Sequence, residues 1–138
     1  MRRVAIVDSG PLFAVANRRD PHHLACLALL RSRDFLPVIP ALCVAEVAFL
    51  LGKRVGPSAE AKFVAGLESF EVPAPAPEDW RRIAKLVETY RDLPLGAADA
   101  SVVVLAERFE TDLVFTLDRR HFSAVRPQHV KSFELRPL

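Results

Sequence analysis

At 138 residues the chain has the length of one domain, and its 51% hydrophobic and 26% charged content excludes a disordered tail. Nineteen Lys and Arg against seventeen Asp and Glu leave a formal charge of +2, near enough to neutral that nucleic acid is neither demanded nor excluded, because charges can segregate into patches. Cys26 and Cys43 lie in apolar stretches with no partner at metal-ligand spacing, and no segment approaches the roughly 20 apolar residues that span a bilayer. These features point to a reducing, cytoplasmic setting without a membrane.

In chain order, RRVAIVD (2–8) has the short, β-branched pattern of a buried strand, stopped by Ser9-Gly10-Pro11. Pro11 suits the first turn of a helix, and Asp20-Pro21 should start a second helix running to about Arg33, with Asp20 as its N-cap. LPVIP (36–40) predicts a brief strand, residues 41–51 a strongly apolar helix ending at Gly52, residues 57–67 a shorter helix, and SFEV (69–72) a candidate short strand. The three prolines of VPAPAP (72–77) make a connector.

Residues 78–91 show the clearest amphipathic period, with Trp80, Ile83, Ala84, Val87 and Tyr90 expected on the buried face. A helix over 97–109, a buried strand DLVFTL (112–117) and a last, edge strand HVKSF (129–133) complete the chain. Strands alternating with helices predict an α/β fold on a mainly parallel sheet, whose functional crevice lies beyond the carboxyl ends of its strands. Residues 1–138 are expected to form a single domain.

Four acids stand against this apolar background: Asp8 ends VAIV, Glu46 interrupts ALCVAEVAFLL, Asp99 opens ASVVVLA, and Asp118 closes LVFTL. Carboxylates in apolar surroundings are costly unless protonated, paired or bound to a cation. Hard oxygen ligands suit Mg²⁺ or Mn²⁺. Carboxylate clusters holding such ions are a device for cutting phosphodiesters. Each acid also has a structural explanation: Asp8 and Asp118 could cap helices, Asp99 could complement a helix dipole, and Glu46 could pair with a distant Arg. Glu46 is the hardest to explain away, since Leu42, Cys43, Phe49 and Leu50 are its helical neighbours.

IVDSGPLFA (6–14), the acid in VAEV (44–47), LGAADASVV (95–103) and TLDRRHF (116–122) together resemble the PIN-domain nucleases, most closely the VapC-like toxins of bacterial toxin–antitoxin pairs. The resemblance covers essentially the whole chain, with the motifs in order. It implies a small three-layer α/β/α fold and a divalent-metal-dependent endoribonuclease using Mg²⁺, or Mn²⁺ in its place. It carries Asp8, Asp99, Asp118 and Glu46 over as metal-binding and catalytic acids, and Ser9 and Thr116 as supporting hydroxyls. In-line attack by water would leave 5′-phosphate and 3′-hydroxyl ends. RNA is the implied substrate, a small cognate antitoxin protein the implied partner, and a homodimer the implied assembly.

Arg18, Arg19, Lys53, Arg54, Arg119 and Arg120 form short basic pairs that could grip an RNA backbone around the acids, although each pair also fits a solvated surface. His22, His23 and His121 fit surface or packing roles better than catalysis. Two other readings compete: a housekeeping PIN ribonuclease in RNA processing, told apart by whether a neighbouring reading frame encodes an antitoxin, and a non-catalytic PIN-like module, expected to have lost at least one acid. A haloacid-dehalogenase-type phosphatase needs a second Asp two residues after the first, where this chain has Gly10.

Overall fold

The computed structural model describes residues 2–138. Its elements are β1 (Arg3–Val7), α1 (Ser9–Ala16), α2 (His23–Arg31), β2 (Phe35–Val38), α3 (Ala41–Arg54), α4 (Pro57–Gly66), α5 (Asp79–Thr89), α6 (Ala97–Arg108), β3 (Leu113–Phe115), α7 (Arg119–Ala124) and β4 (Glu134–Arg136). The four strands pair in the order β2-β1-β3-β4, all parallel. Ile6 lies beside Val114 and Val7 beside Phe115.

Ala5, Ile6 and Val7 of β1 and Leu113, Val114 and Phe115 of β3 have no exposed surface. Such unbroken apolar runs belong to parallel strands covered on both faces, and helices on the two faces complete a three-layer α/β/α sandwich. Pro37, which cannot donate to a ladder, sits in edge strand β2. Helix α6 is buried continuously from Ala100 to Ala106, so its three consecutive valines pack all round. Cys26 and Cys43 are free and buried, as expected of small hydrophobes.

Pro11 lies inside the first turn of α1, as expected, the helix beginning at Ser9. Several boundaries differ from the sequence expectation. Asp20 does not cap α2; it accepts the His22 amide in the preceding turn, and His22 is the residue before the helix. Helix α3 passes through Gly52 and ends before Gly56, whose φ of 135° lies where other residues are strained. At Gly52 an added Cβ would displace the Glu60 carboxylate of α4, the far end of a flexible side chain.

Residues 67–69 form one 3₁₀ turn, and the expected strand over 69–72 shrinks to an isolated bridge between Glu71 and Val38. Trp80, expected in the core, is half exposed at the first turn of α5, and Ala84 is exposed; the buried stripe is carried by Ile83 and Leu86. The last strand is Glu134–Arg136, not 129–133. The latter segment is held by His129, whose Nε2 donates to the Thr111 carbonyl at 2.7 Å, and by Phe133 packing edge-on against Phe122.

Candidate metal centre

The sheet changes direction between β1 and β3: the chain leaves β1 for β2 on one side and β3 for β4 on the other. The carboxyl ends of two such strands splay apart and open a crevice. Asp8 follows β1 there directly, and Asp118 lies three residues past β3. A cleft of about 500 Å³ at this rim is lined by Asp8, Glu46, Asp99 and Asp118, with Ser9, Gly10, Leu117, Arg119 and Arg120. All four acids singled out in the sequence therefore face one space.

Each acid is held differently. Asp8 is 4% exposed. Its amide donates to the Phe115 carbonyl at 2.8 Å, continuing the β1–β3 ladder, and Thr116 Oγ1 donates to its Oδ2 at 2.8 Å. The same Thr116 oxygen accepts the Asp118 amide at 2.9 Å, so one hydroxyl ties the two strand ends together. Among the described residues neither Asp8 Oδ1 nor Ser9 Oγ, both buried, has a hydrogen-bond partner.

Asp99 sits in the first turn of α6, where Gly96 N–H donates to its Oδ2 at 3.3 Å. Asp118 is the N-cap of α7, its Oδ1 accepting the His121 amide at 3.0 Å. Glu46 is exposed. The expectation that all four acids lie in apolar surroundings therefore holds fully for Asp8 alone. Helix α3 buries Cys43, Val47 and Leu51, an i, i+4, i+8 stripe, and Glu46 stands beside it on the open face of the helix.

The electrostatics follow this gradient of burial. Desolvation pushes the Asp8 carboxyl up to about 7; the Thr116 hydrogen bond opposes the shift, while the negative charges of Asp99 and Glu46 add to it. Burial raises Asp99 as well, opposed by the Gly96 amide and by His121, and reinforced by Glu46 and Asp118. Burial and the charge of Asp8 hold the Cys43 thiol protonated, against the helix of Asp99: its Sγ lies 3.8 Å from the Ala98 carbonyl.

Among the described residues no three His, Cys, Asp or Glu side chains already form a closed cage for an ion. The donor set nonetheless fits one. Four carboxylates face a single cleft, a buried oxygen of Asp8 has no hydrogen-bond partner among the described residues, and burial, with the neighbouring acids, raises the Asp8 carboxyl, a cost that a hard divalent cation would offset.

The other residues singled out in the sequence are scattered. Arg119 and Arg120 line the cleft, but Arg119 Nη1 donates to the carbonyls of Leu135 and Pro137 at 3.5 and 3.2 Å, clamping β4. Lys53 and Arg54 lie over the rings of Phe49 and Phe13, and Arg18 borders a separate apolar groove of about 780 Å³ lined by Leu12, Val55, Phe63 and Phe70. His22 is exposed, and His23 Nδ1 donates to the Ala14 carbonyl at 2.8 Å. His121, treated from sequence as a packing or surface residue, enters the site instead: its Nδ1 is 2.7 Å from Asp118 Oδ2 and 3.7 Å from Asp99 Oδ2. Its position three residues after Asp118, on the first turn of a helix, was the available signal.

Comparison with known proteins agrees with this architecture. Residues 5–126 match the PIN domain family. The chain is 36% identical over 124 residues to Ribonuclease VapC26 of Mycobacterium tuberculosis (strain ATCC 25618 / H37Rv), covering 88% of this chain and 92% of that protein. The crystal structure of Mycobacterium tuberculosis VapC20, described as a sarcin–ricin loop cleaving toxin, superposes with a TM-score of 0.78 at 19% identity, over 93% of this chain and 98% of that one.

Proposed function

The chain belongs to the PIN domain family, and we propose that it is a divalent-metal-dependent endoribonuclease, the toxin of a toxin–antitoxin pair, built as a single PIN-like domain over residues 1–138. One observation carries the assignment: the buried, half-unpartnered Asp8 faces Asp99, Asp118 and Glu46 across one open cleft at the carboxyl ends of β1 and β3. The 36% identity to a protein named a ribonuclease supports the reaction class.

We assign Asp8, Asp99 and Asp118 as the groups that hold the ion, Mg²⁺ or in its place Mn²⁺. When bound, such an ion lowers the pKa of a water and offsets the charge that builds on the phosphoryl group. The rest falls to the chain. Thr116 fixes Asp8 so that one oxygen is engaged and the other is left for the cleft, while its second contact fixes the backbone of Asp118. Glu46, exposed at the rim, is free to orient an attacking water or to accept its proton. Arg120, exposed beside the acids, is placed to meet a phosphate.

The natural partners on this view are RNA, a small cognate antitoxin and a second copy of the chain, in the cytoplasm. Among the described residues no helix is long and apolar enough to cross a membrane. The apolar groove beside α1 and α4 supports a protein partner.

The test is cleavage of a mixed set of structured RNAs by purified protein with Mg²⁺, with Mn²⁺ and with EDTA, beside an Asp8→Asn variant checked for folding. Metal-dependent cuts that vanish with the substitution are expected. Equal cutting by folded Asp8→Asn would overturn the assigned centre.

A further inference from the structure

Helix α3 buries one stripe and leaves the opposite one open. Ala45, Glu46, Phe49 and Lys53 are exposed and follow one another at helical spacing, flanked by half-buried Leu42 and Leu50. Phe49 is 65% exposed at the middle of this stripe. The Lys53 ammonium lies over its ring, 5.7 Å from the centroid. A lone exposed ring calls for no partner, but this one stands midway between two opposite charges that have none. Neither Glu46 nor Lys53 forms an ion pair among the described residues.

The spacing of these charges is self-complementary. Glu46 and Lys53 are two helical turns apart, about 10 Å, so they share a face but do not pair within one chain. Phe49 falls near their midpoint. A two-fold axis through that point, perpendicular to α3, lays a second α3 antiparallel on the first. Each Glu46 then stands opposite the partner's Lys53, with the aromatic rings between the two pairs. A parallel arrangement would set like charges against each other, and only the antiparallel one opposes the two helix dipoles favourably. Glu46 also lines the acidic cleft, so this face runs to the rim of the candidate centre.

We propose that a second copy of the chain docks on α3, antiparallel about Phe49, and that each acidic cleft thereby receives the partner's Lys53 beside Glu46. The inference rests on the phosphodiester-cleaving reading above, and adds to its second copy the face used and the residue contributed. Glu46, alone at the open rim, repels an approaching phosphate chain. The partner's Lys53 offsets that charge and offers its ammonium to a phosphate. One chain cannot supply this cation, because its own Lys53 lies two turns away over Phe49. A single crossing of two helices is small for a specific interface, so the dissociation constant is expected at about micromolar.

The decisive experiment is sedimentation equilibrium across the micromolar range, in EDTA and in Mg²⁺, on the wild type and on three variants checked for folding by circular dichroism. The wild type should dimerise and Phe49→Asp should be monomeric. Lys53→Glu should weaken the dimer on the order of tenfold, and combining it with Glu46→Lys should restore the wild-type constant. A carbodiimide, which joins a carboxylate to an amine in direct contact, should link Glu46 to Lys53 between chains, identified by mass spectrometry on mixed unlabelled and ¹⁵N-labelled protein. A monomeric wild type, or a Phe49→Asp variant as dimeric as the wild type, would overturn the docking face. A dimer indifferent to Lys53→Glu, unrepaired by the charge swap or without the interchain link would overturn the contribution of Lys53. None of these readouts uses cleavage, so failure of the nuclease reading shows separately, as absent metal-dependent cutting by an intact dimer. The wild-type dimer and its cross-link stand even if a variant fails to fold.

Discussion

Asp8→Asn should make the metal-free protein more stable above neutral pH and less responsive to metal. The Asp8 carboxyl is pushed from 3.8 up to about 7, chiefly by burial. A folded-state pKa above the unfolded one means that the native state binds the proton more tightly, so this group costs nothing below about pH 4. The cost grows as pH rises through the window from about 4 to 7 and is complete above it. Three pKa units correspond to about 4 kcal/mol. Asparagine keeps the shape and can still accept from Thr116, but its amide is left without a partner where Oδ1 now lies, a loss of about 1–3 kcal/mol. The net gain for Asp8→Asn at pH 8 in EDTA is therefore about 1–3 kcal/mol. Urea unfolding at pH 4, 6 and 8 measures it, and contributions from titrating groups away from the cleft cancel in the difference between the two proteins. Saturating Mg²⁺ should reverse the order, since an ion at a thousandfold excess over its dissociation constant stabilises the wild type by about 4.1 kcal/mol. Parallel stability curves from pH 4 to 8 would refute the reasoning, because Asp8 would then ionise in the folded state without penalty.

Thr116→Val removes the hydroxyl shared by Asp8 and Asp118; calorimetry should show Mn²⁺ affinity falling about 10–100-fold, and an unchanged affinity would detach Thr116 from the site. The two arginines of the cleft should separate. Arg119→Ala loses the clamp on Leu135 and Pro137 and should lower the melting temperature. Arg120→Ala should leave melting unchanged and flatten the salt dependence of RNA binding by about one phosphate contact. Glu107→Ala strips Arg82 of two hydrogen bonds in a pair that is 20% and 13% exposed, and frees the Gln128 amide. It should cost about 3 kcal/mol in denaturant unfolding without changing Mn²⁺ affinity, being two helical turns from Asp99.

The parts of this fold legible in the sequence are those in which burial leaves a dense local signal. Strands β1 and β3 are continuous apolar runs because both their faces are covered, and each run ends on an acid. Strand β4 was misplaced because it is three residues long and buries only Leu135, a weaker pattern than the alternation in HVKSF. That segment instead satisfies its side chains against Thr111 and Phe122. Glu46 illustrates a different limit. On a helix as apolar as α3, sequence neighbours do not reveal which stripe is buried, and Phe49, 65% exposed, shows that apolar positions there also face outward. The identities of the four acids were readable; their unequal burial, and the arrival of His121 among them, depend on how α3, α6 and α7 are set around the sheet.

The structural explanations of the acids and the proposed functional one are compatible. Asp8 directly precedes α1, Asp99 lies in the first turn of α6, and Asp118 caps α7. Three helix N-termini thus deliver carboxylates to the same cleft, each of them the positive end of a peptide dipole that favours a negative side chain by about 0.3–1 kcal/mol, more where partly buried. Capping bonds to Asp99 and Asp118 occupy one oxygen or hold the backbone, and leave the side chain oriented toward its neighbours. Asp8 has no capping bond of its own and is instead engaged by Thr116. The helix ends offset part of the mutual repulsion; the Asp8 and Asp99 carboxyls are raised first by burial and then by the neighbouring acids. The remainder favours a cation. A fold that capped these acids fully would have removed the reason to bind one.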